Sequence, residues 1–123
     1  MKHYYDAVVV GSGIAGLTCA IYLKQSGFDV IVMTKNSRIS ESNTFYAQGG
    51  IIAAREGDSP SLLRNDVLQA GCSYNRNDAV NYFAAYGPPL VFDFLVNRVG
   101  IDFSTSEDGK IDYTEEAAHS VRR

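Results

Sequence analysis

AVVVGSGIAGLTCAIYL, Ala7 to Leu23, is the stretch that decides the fold of this 123-residue chain. Ala7 to Val10 is a β-branched apolar run without polar alternation, the pattern of a strand covered on both faces in a parallel sheet. It stops at Gly11. From Gly13 to Gln25 the apolar residues Ile14, Leu17, Ile21 and Leu23 recur near helical spacing, and Ser26-Gly27 ends that helix before a second buried strand, Asp29 to Met33. Strand, glycine turn, helix, strand is a βαβ unit, right-handed by the general rule for such crossovers.

Gly11, Gly13 and Gly16 fall on the G-x-G-x-x-G spacing at the strand-to-helix turn. Gly11 permits the tight turn, Gly13 lets a pyrophosphate approach the backbone, and Gly16 lets the helix lie close to the strand. Ser12, Ile14 and Ala15 complete the loop, whose helix N-terminus offers N–H groups and partial positive charge to a phosphate. In this strand-turn-helix-strand context the spacing points to a dinucleotide. Sites of this kind usually carry Asp or Glu at the end of the second strand to bind a ribose hydroxyl. Here that strand ends VMTK, and Lys35 stands where the acid would be. Simple NAD binding loses support, and Lys35 is left either to contact adenosine ribose or phosphate or to sit solvated on the surface.

Working outward, Asn36 to Gly50 has neither helical nor strand period. Its second half, SNTFYAQGGI from Ser42 to Ile51, sets Phe45 and Tyr46 beside Gln48 and a Gly49-Gly50 pair, a composition suited to backbone pressed against a flat, polar ligand. IIAAR, residues 51–55, reads as a short strand. Ser59-Pro60 opens a helix to about Ala70 that Gly71 closes. Asn77 is the expected N-cap of a helix through Tyr86, Pro88-Pro89 divides it from another running from Pro89 to Arg98, and Gly100 stops that one. IDFSTSEDGKIDYT, Ile101 to Thr114, has β-prone residues on either side of Asp108-Gly109 and reads as a hairpin. The fold class is α/β, a partial Rossmann-like arrangement of one βαβ unit followed by helices and a hairpin. A third strand beside the first two is not evident after Arg55, so residues 1–123 read as the N-terminal piece of a larger protein.

Composition narrows the partners. With 46% hydrophobic and 20% charged residues the balance is that of a globular domain. The 11 basic and 14 acidic residues are scattered, which leaves no electrostatic footprint for nucleic acid or an anionic membrane and favours a small-molecule partner. Cys19 and Cys72 lack the nearby Cys or His that a metal site needs, so no metal is expected and both read as reduced thiols. A secretory signal is a poor match at the N-terminus, because Asp6 and the glycines interrupt the apolar run; the expected location is cytoplasmic.

The succession GSGIAGL, TK at the end of the second strand, SNTFYAQGGI and LLRNDVLQAG resembles the N-terminal part of the L-aspartate oxidases, of the succinate dehydrogenase and fumarate reductase flavoprotein superfamily. The resemblance covers nearly the whole chain and implies that residues 1–123 are the N-terminal part of an FAD-binding domain. It implies that FAD is held by Gly11, Ser12, Gly13, Ile14, Ala15 and Gly16, by Lys35, and by the loop residues Asn43, Thr44, Phe45, Tyr46, Ala47, Gln48, Gly49 and Gly50. Superfamily members with covalent FAD have histidine just before the threonine of this loop. Asn43 stands there instead, which implies non-covalent FAD. The tail TEEAAHSVRR resembles a family segment reading Thr-Arg-Glu-Gly-Gly-His-Ser, with Thr114, Glu116, His119 and Ser120 matching, Glu115 in place of arginine and Ala117-Ala118 in place of two glycines. Glu116 is then the substrate residue, facing the amino group of L-aspartate, unless it is simply one of two solvated carboxylates.

The implied reaction is oxidation of L-aspartate to iminoaspartate, with fumarate or oxygen as electron acceptor and the product passing to quinolinate and NAD synthesis. The superfamily's proton-transferring arginine belongs to a later segment, so no catalytic residue is expected among these 123 and the isolated chain is expected to be inactive. Two other readings stay open: a succinate or fumarate enzyme, and a nucleotide-binding fragment without catalysis.

Overall fold

Strand β1 (Ala7–Val10) pairs in parallel with β2 (Val30–Met33), Ala7 opposite Val30 and Val10 opposite Met33, and helix α1 (Ile14–Gln25) joins them. The computed structural model describes residues 3–47 and 49–123, and these divide into two units between Gly49 and Gly50, each described by itself. In the first unit the elements follow the sequence pattern. Gly11 N–H continues the ladder to the Met33 carbonyl at 2.7 Å, and the other end of the pair is tied by Asp6, whose carboxylate accepts the Asp29 N–H at 2.7 Å.

Burial in this unit departs from the expectation of strands covered on both faces. Val8 and Val10 are 56% and 83% exposed, while Ala7 and Val9 are half-buried. The sheet has two strands among the described residues, and α1 lies on the side to which Val9 points. The other side is left open, so the apolar run that reads as a doubly covered strand is covered once. The segment after β2 also differs from the sequence reading. It contains a single helical turn, α2 (Asn43–Tyr46), started by Ser42, whose hydroxyl accepts the Phe45 N–H.

The second unit is helical. Ser59 caps α3 (Pro60–Ala70) by accepting the Leu62 N–H at 3.2 Å, Pro60 occupies the first turn and Gly71 is the C-cap. Helix α4 (Asn77–Leu90) starts one residue after its N-cap, Arg76, so Asn77 is the first helical residue rather than the cap. Pro88 and Pro89 lie inside α4 instead of dividing two helices, and the same rod continues as a π-helix, Val91–Val99. Two adjacent prolines remove two backbone donors, and the chain here absorbs that loss by rewinding to the wider i→i+5 pattern. Gly87 just before them has no Cβ to clash with the Pro88 ring. Gly100, with φ +77°, then ends the rod as expected.

Ala53, Val91, Phe94 and Leu95 form the buried cluster of this unit, with Phe92, Phe103 and Tyr113 packed against it. Residues 51–55 are irregular rather than a strand. Ala53 enters the cluster, the Ala54 carbonyl accepts the Tyr113 hydroxyl at 3.3 Å and the Arg55 guanidinium lies over the Tyr113 ring, so contacts with side chains hold the segment where a ladder was expected. The hairpin is reduced to one antiparallel bridge, Thr105 to Ile111, around Gly109 at φ +77°.

Candidate functional site

The glycine loop is built by steric need at two of its positions. Gly11 has φ +109°, a backbone region that residues with a side chain rarely adopt. A Cβ on Gly16 would lie 2.2 Å from the Gly11 carbonyl oxygen and 3.3 Å from Val9 Cγ1. Helix and strand therefore approach more closely than any side chain at residue 16 allows. Gly13 is the extended N-cap of α1 and has no side chain to cap with.

Thr44 supplies what Gly13 lacks. Its Oγ1 accepts the Ile14 N–H at 3.0 Å, which brings the α2 turn over the first turn of α1. The amides of Ala15 and Gly16 come before the first intrahelical bond, Leu17 N–H to the Gly13 carbonyl at 3.0 Å, and so belong to the open end of the helix. Ser12 is 5% exposed and its hydroxyl has no hydrogen-bond partner. A buried hydroxyl without a partner costs about 1–3 kcal/mol. It is the one buried residue among the described residues of this unit, and it lies beside open helix N–H groups, the donor set that a pyrophosphate needs. A dinucleotide fits these residues.

The other expected cofactor residues are placed less tightly. Lys35 is exposed just beyond β2, and Asn43 is exposed as the first residue of α2. Phe45 and Tyr46 are 66% and 68% exposed and stack edge to face with ring centroids 5.1 Å apart. Ala47 is exposed, and Gly49 and Gly50 have open space where a Cβ would stand. Gln48 lies outside the described residues.

Glu116 belongs to the second unit, in a turn that the chain closes twice. The His119 N–H donates to the Glu116 carbonyl at 2.9 Å, and the Glu116 N–H donates to His119 Nδ1 at a long 3.4 Å. Among the described residues, the non-glycine ones with positive φ are Cys72 and Ser73, so Ala117 and Ala118 make this turn without the left-handed backbone that glycine would allow.

Sequence reasoning missed a buried charge cluster beside this turn. The Arg123 side chain is fully buried; its Nε and Nη2 meet the two oxygens of Asp58 at 2.8 and 3.0 Å, and its Nη1 meets Asp66 Oδ2 at 2.6 Å. That same oxygen accepts the Ser120 N–H and hydroxyl at 2.8 and 2.9 Å. Burial pushes the Asp66 carboxyl up, but the Ser120 and Arg123 hydrogen bonds and the Arg123 charge outweigh it and hold it below the usual carboxylate range. The available signal was spacing on α3: Asp66 stands three residues after Leu63, which is 1% exposed, and so shares its inward face. Among the described residues no group of acidic, histidine or cysteine side chains could hold a metal ion, and no helix is long and apolar enough to cross a membrane. Cys19 and Cys72 are free and exposed.

A βαβ unit with a glycine loop and a buried, unpartnered hydroxyl defines a dinucleotide-binding fold, and residues 6–123 match the family model described as FAD binding domain. The chain belongs to that family, whose cofactor is FAD. It is 40% identical over 119 residues to the L-aspartate oxidase of Streptomyces coelicolor, covering 96% of this chain and 20% of that protein. It is also 40% identical over 118 residues to the L-aspartate oxidase of Clostridium acetobutylicum, 96% of this chain and 26% of that one. Among solved structures it is similar to Mycobacterium smegmatis Sdh1 in complex with UQ1, with a TM-score of 0.88 and 31% identity over 98% of this chain and 20% of that one. The chain thus spans about a fifth to a quarter of the length of these relatives.

Proposed function

We propose that these residues hold FAD without a covalent bond in a flavoenzyme that oxidises L-aspartate to iminoaspartate. The observation that carries the reading is the buried Ser12 hydroxyl, which has no partner at the open end of α1. When bound, the flavin supplies the two-electron acceptor. The protein's part is to bind and to orient. Ser12 and the Ala15 and Gly16 amides meet the pyrophosphate, while Thr44 fixes the Asn43–Tyr46 turn against the helix end so that Phe45 and Tyr46 face the rest of the cofactor. Asn43 has no ring nitrogen to bond the flavin, so acid denaturation releases FAD intact into the supernatant. Flavin that stays with the denatured protein contradicts this.

The choice of L-aspartate is supported by the relatives of that name at 40% identity, and Glu116 is assigned to its ammonium group. A charge-assisted hydrogen bond contributes about 1.5–3 kcal/mol against about 1 for a neutral one. Glu116→Gln in the whole protein is expected to lower kcat/KM for aspartate roughly ten- to a hundredfold. Fumarate reduction, with no ammonium to bind, stays unchanged or rises. Residues 1–123 alone are expected to form no iminoaspartate or peroxide, since the arginine that the resemblance makes the proton carrier is not among them. The small-molecule partners are L-aspartate and, as acceptor, oxygen or fumarate; neither nucleic acid nor membrane is among them, and the location is cytoplasmic.

A second reading, an enzyme acting on succinate or fumarate, is favoured by the likeness to Sdh1. Oxidation of succinate in preference to aspartate by the whole protein would support it, whereas equal losses for aspartate and fumarate on Glu116→Gln would mean that Glu116 supports the fold or the flavin.

A further inference from the structure

The segment Thr114–Arg123 is a closed loop with three fixed points. Its neck is the Arg123 N–H bonded to the Thr114 carbonyl at 2.9 Å. Behind the neck, the buried Arg123 guanidinium joins Asp58, just before the α3 cap, to Asp66 on α3 itself. Further along, Asp66 Oδ2 takes both the N–H and the hydroxyl of Ser120. Between these anchors, residues 115 to 118 are exposed, and the Glu116–His119 turn is closed by its own hydrogen bonds.

A buried ion cluster is a weak source of net stability, because taking three charges out of water offsets most of their mutual attraction. Its directional bonds are another matter. One carboxylate oxygen with three donors, and one guanidinium forked between two carboxylates, fix the loop's orientation more tightly than apolar contacts of similar size would. The anchoring runs from α3 through Asp66 to Ser120, one residue beyond His119 and four beyond Glu116.

We propose that Asp66 and Arg123 are positioning residues for the substrate site: with Asp58 they hold the Thr114–Arg123 loop so that Glu116 presents its carboxylate to the substrate ammonium. The proposal rests on the assignment of Glu116 to that ammonium. Neither residue touches substrate, and both act through Glu116.

A double-mutant cycle in the whole enzyme tests this, with kcat/KM read for L-aspartate and for fumarate. Asp66→Asn is expected to cost aspartate about tenfold in the wild-type background and nearly nothing on top of Glu116→Gln, with fumarate unchanged. Arg123→Lys keeps the charge but cannot span both carboxylates, and is expected to lose about as much. Ser120→Ala removes one bond of the cluster and is expected to lose about two- to threefold, with the same dependence on Glu116. Amide exchange in the same variants should speed up at Ser120 and Arg123 while α3 and α4 keep their protection. Losses that add to that of Glu116→Gln, or that strike fumarate equally, overturn the positioning role and leave Glu116 standing. Glu116→Gln without effect on aspartate overturns both. Should Asp66→Asn fail to fold, the Ser120→Ala cycle decides by the same criterion.

Discussion

The two units bury opposite things. Among the described residues 3–47 and 49 the one buried side chain is Ser12, polar and without a partner, whereas residues 50–123 bury Leu63, Val80, Ala84, Val91, Phe94 and Leu95 together with a fully paired ion cluster. The second unit's contents are those of a core that holds itself together. The first has its strand ladder and a close helix-strand approach but no buried apolar side chain among the described residues, so apolar burial contributes less to its folded state. The difference teaches that a clear fold signature in sequence is no measure of local stability. The glycine turn is the most legible feature of the chain and sits in its least buried part.

The largest effect is expected where apolar burial is deepest. Leu63 is 1% exposed, and Leu63→Ala should cost the second unit about 2–5 kcal/mol in chemical denaturation. A loss below about 1 kcal/mol would break the comparison, because the second unit's stability would then lie outside its core.

Next is Gly16→Ala. The added methyl meets backbone at 2.2 Å, which cannot swing aside, so the first unit should lose about 1–3 kcal/mol and FAD binding should weaken with it. Gln25→Ala, at an exposed position of the same helix and outside the candidate cofactor residues, is the control and should leave stability unchanged. Equal behaviour of the two variants in an FAD titration would mean that the close helix-strand approach does not shape the site.

Acid provides a smaller and graded effect. The folded pKa of Asp66 is depressed, so the stabilisation from its ionised form is fully present above the unfolded carboxylate value of about 3.9 and is lost as pH falls through the lower folded value. Amides at Ser120 and Arg123 should lose protection in that acid window and keep it above. In the first unit Asp29 is lowered by its hydrogen bond to Lys24 and by the Lys24 charge, a shift of the same sign, but that pair is exposed and screened by solvent. Asp29→Asn should therefore leave thermal unfolding unchanged. A clear drop in Tm would show that this surface pair contributes where burial does not.

What could be read from sequence was what local chemistry dictates. The G-x-G-x-x-G turn, the Ser59-Pro60 start and the Gly100 stop each follow from the backbone demands of one or two residues, and each stands where expected. Pro88-Pro89 misled because a local rule, that proline ends helices, gave way to a continuous rod that widens at that point. Residues 51–55 misled because β-prone composition says nothing about whether a neighbouring strand exists. The candidate cofactor residues were named from the same local chemistry, and of that reading the structure shows the Gly11 turn, the Gly16 contact and the buried Ser12 hydroxyl. The Asp58–Arg123–Asp66 cluster was not, since it joins positions 57 and 65 residues apart and nothing in one sequence says which charges will meet.

Amide hydrogen exchange with and without FAD tests the contrast most directly. Without FAD, amides of β1, α1 and β2 should exchange faster than those of α3 and α4; on adding FAD, residues 11–16 and 42–46 should slow markedly while residues 60–99 stay as they were. First-unit amides as protected as α3 and α4 in the absence of FAD, or protection by FAD that falls on residues 60–99 instead, would contradict the account.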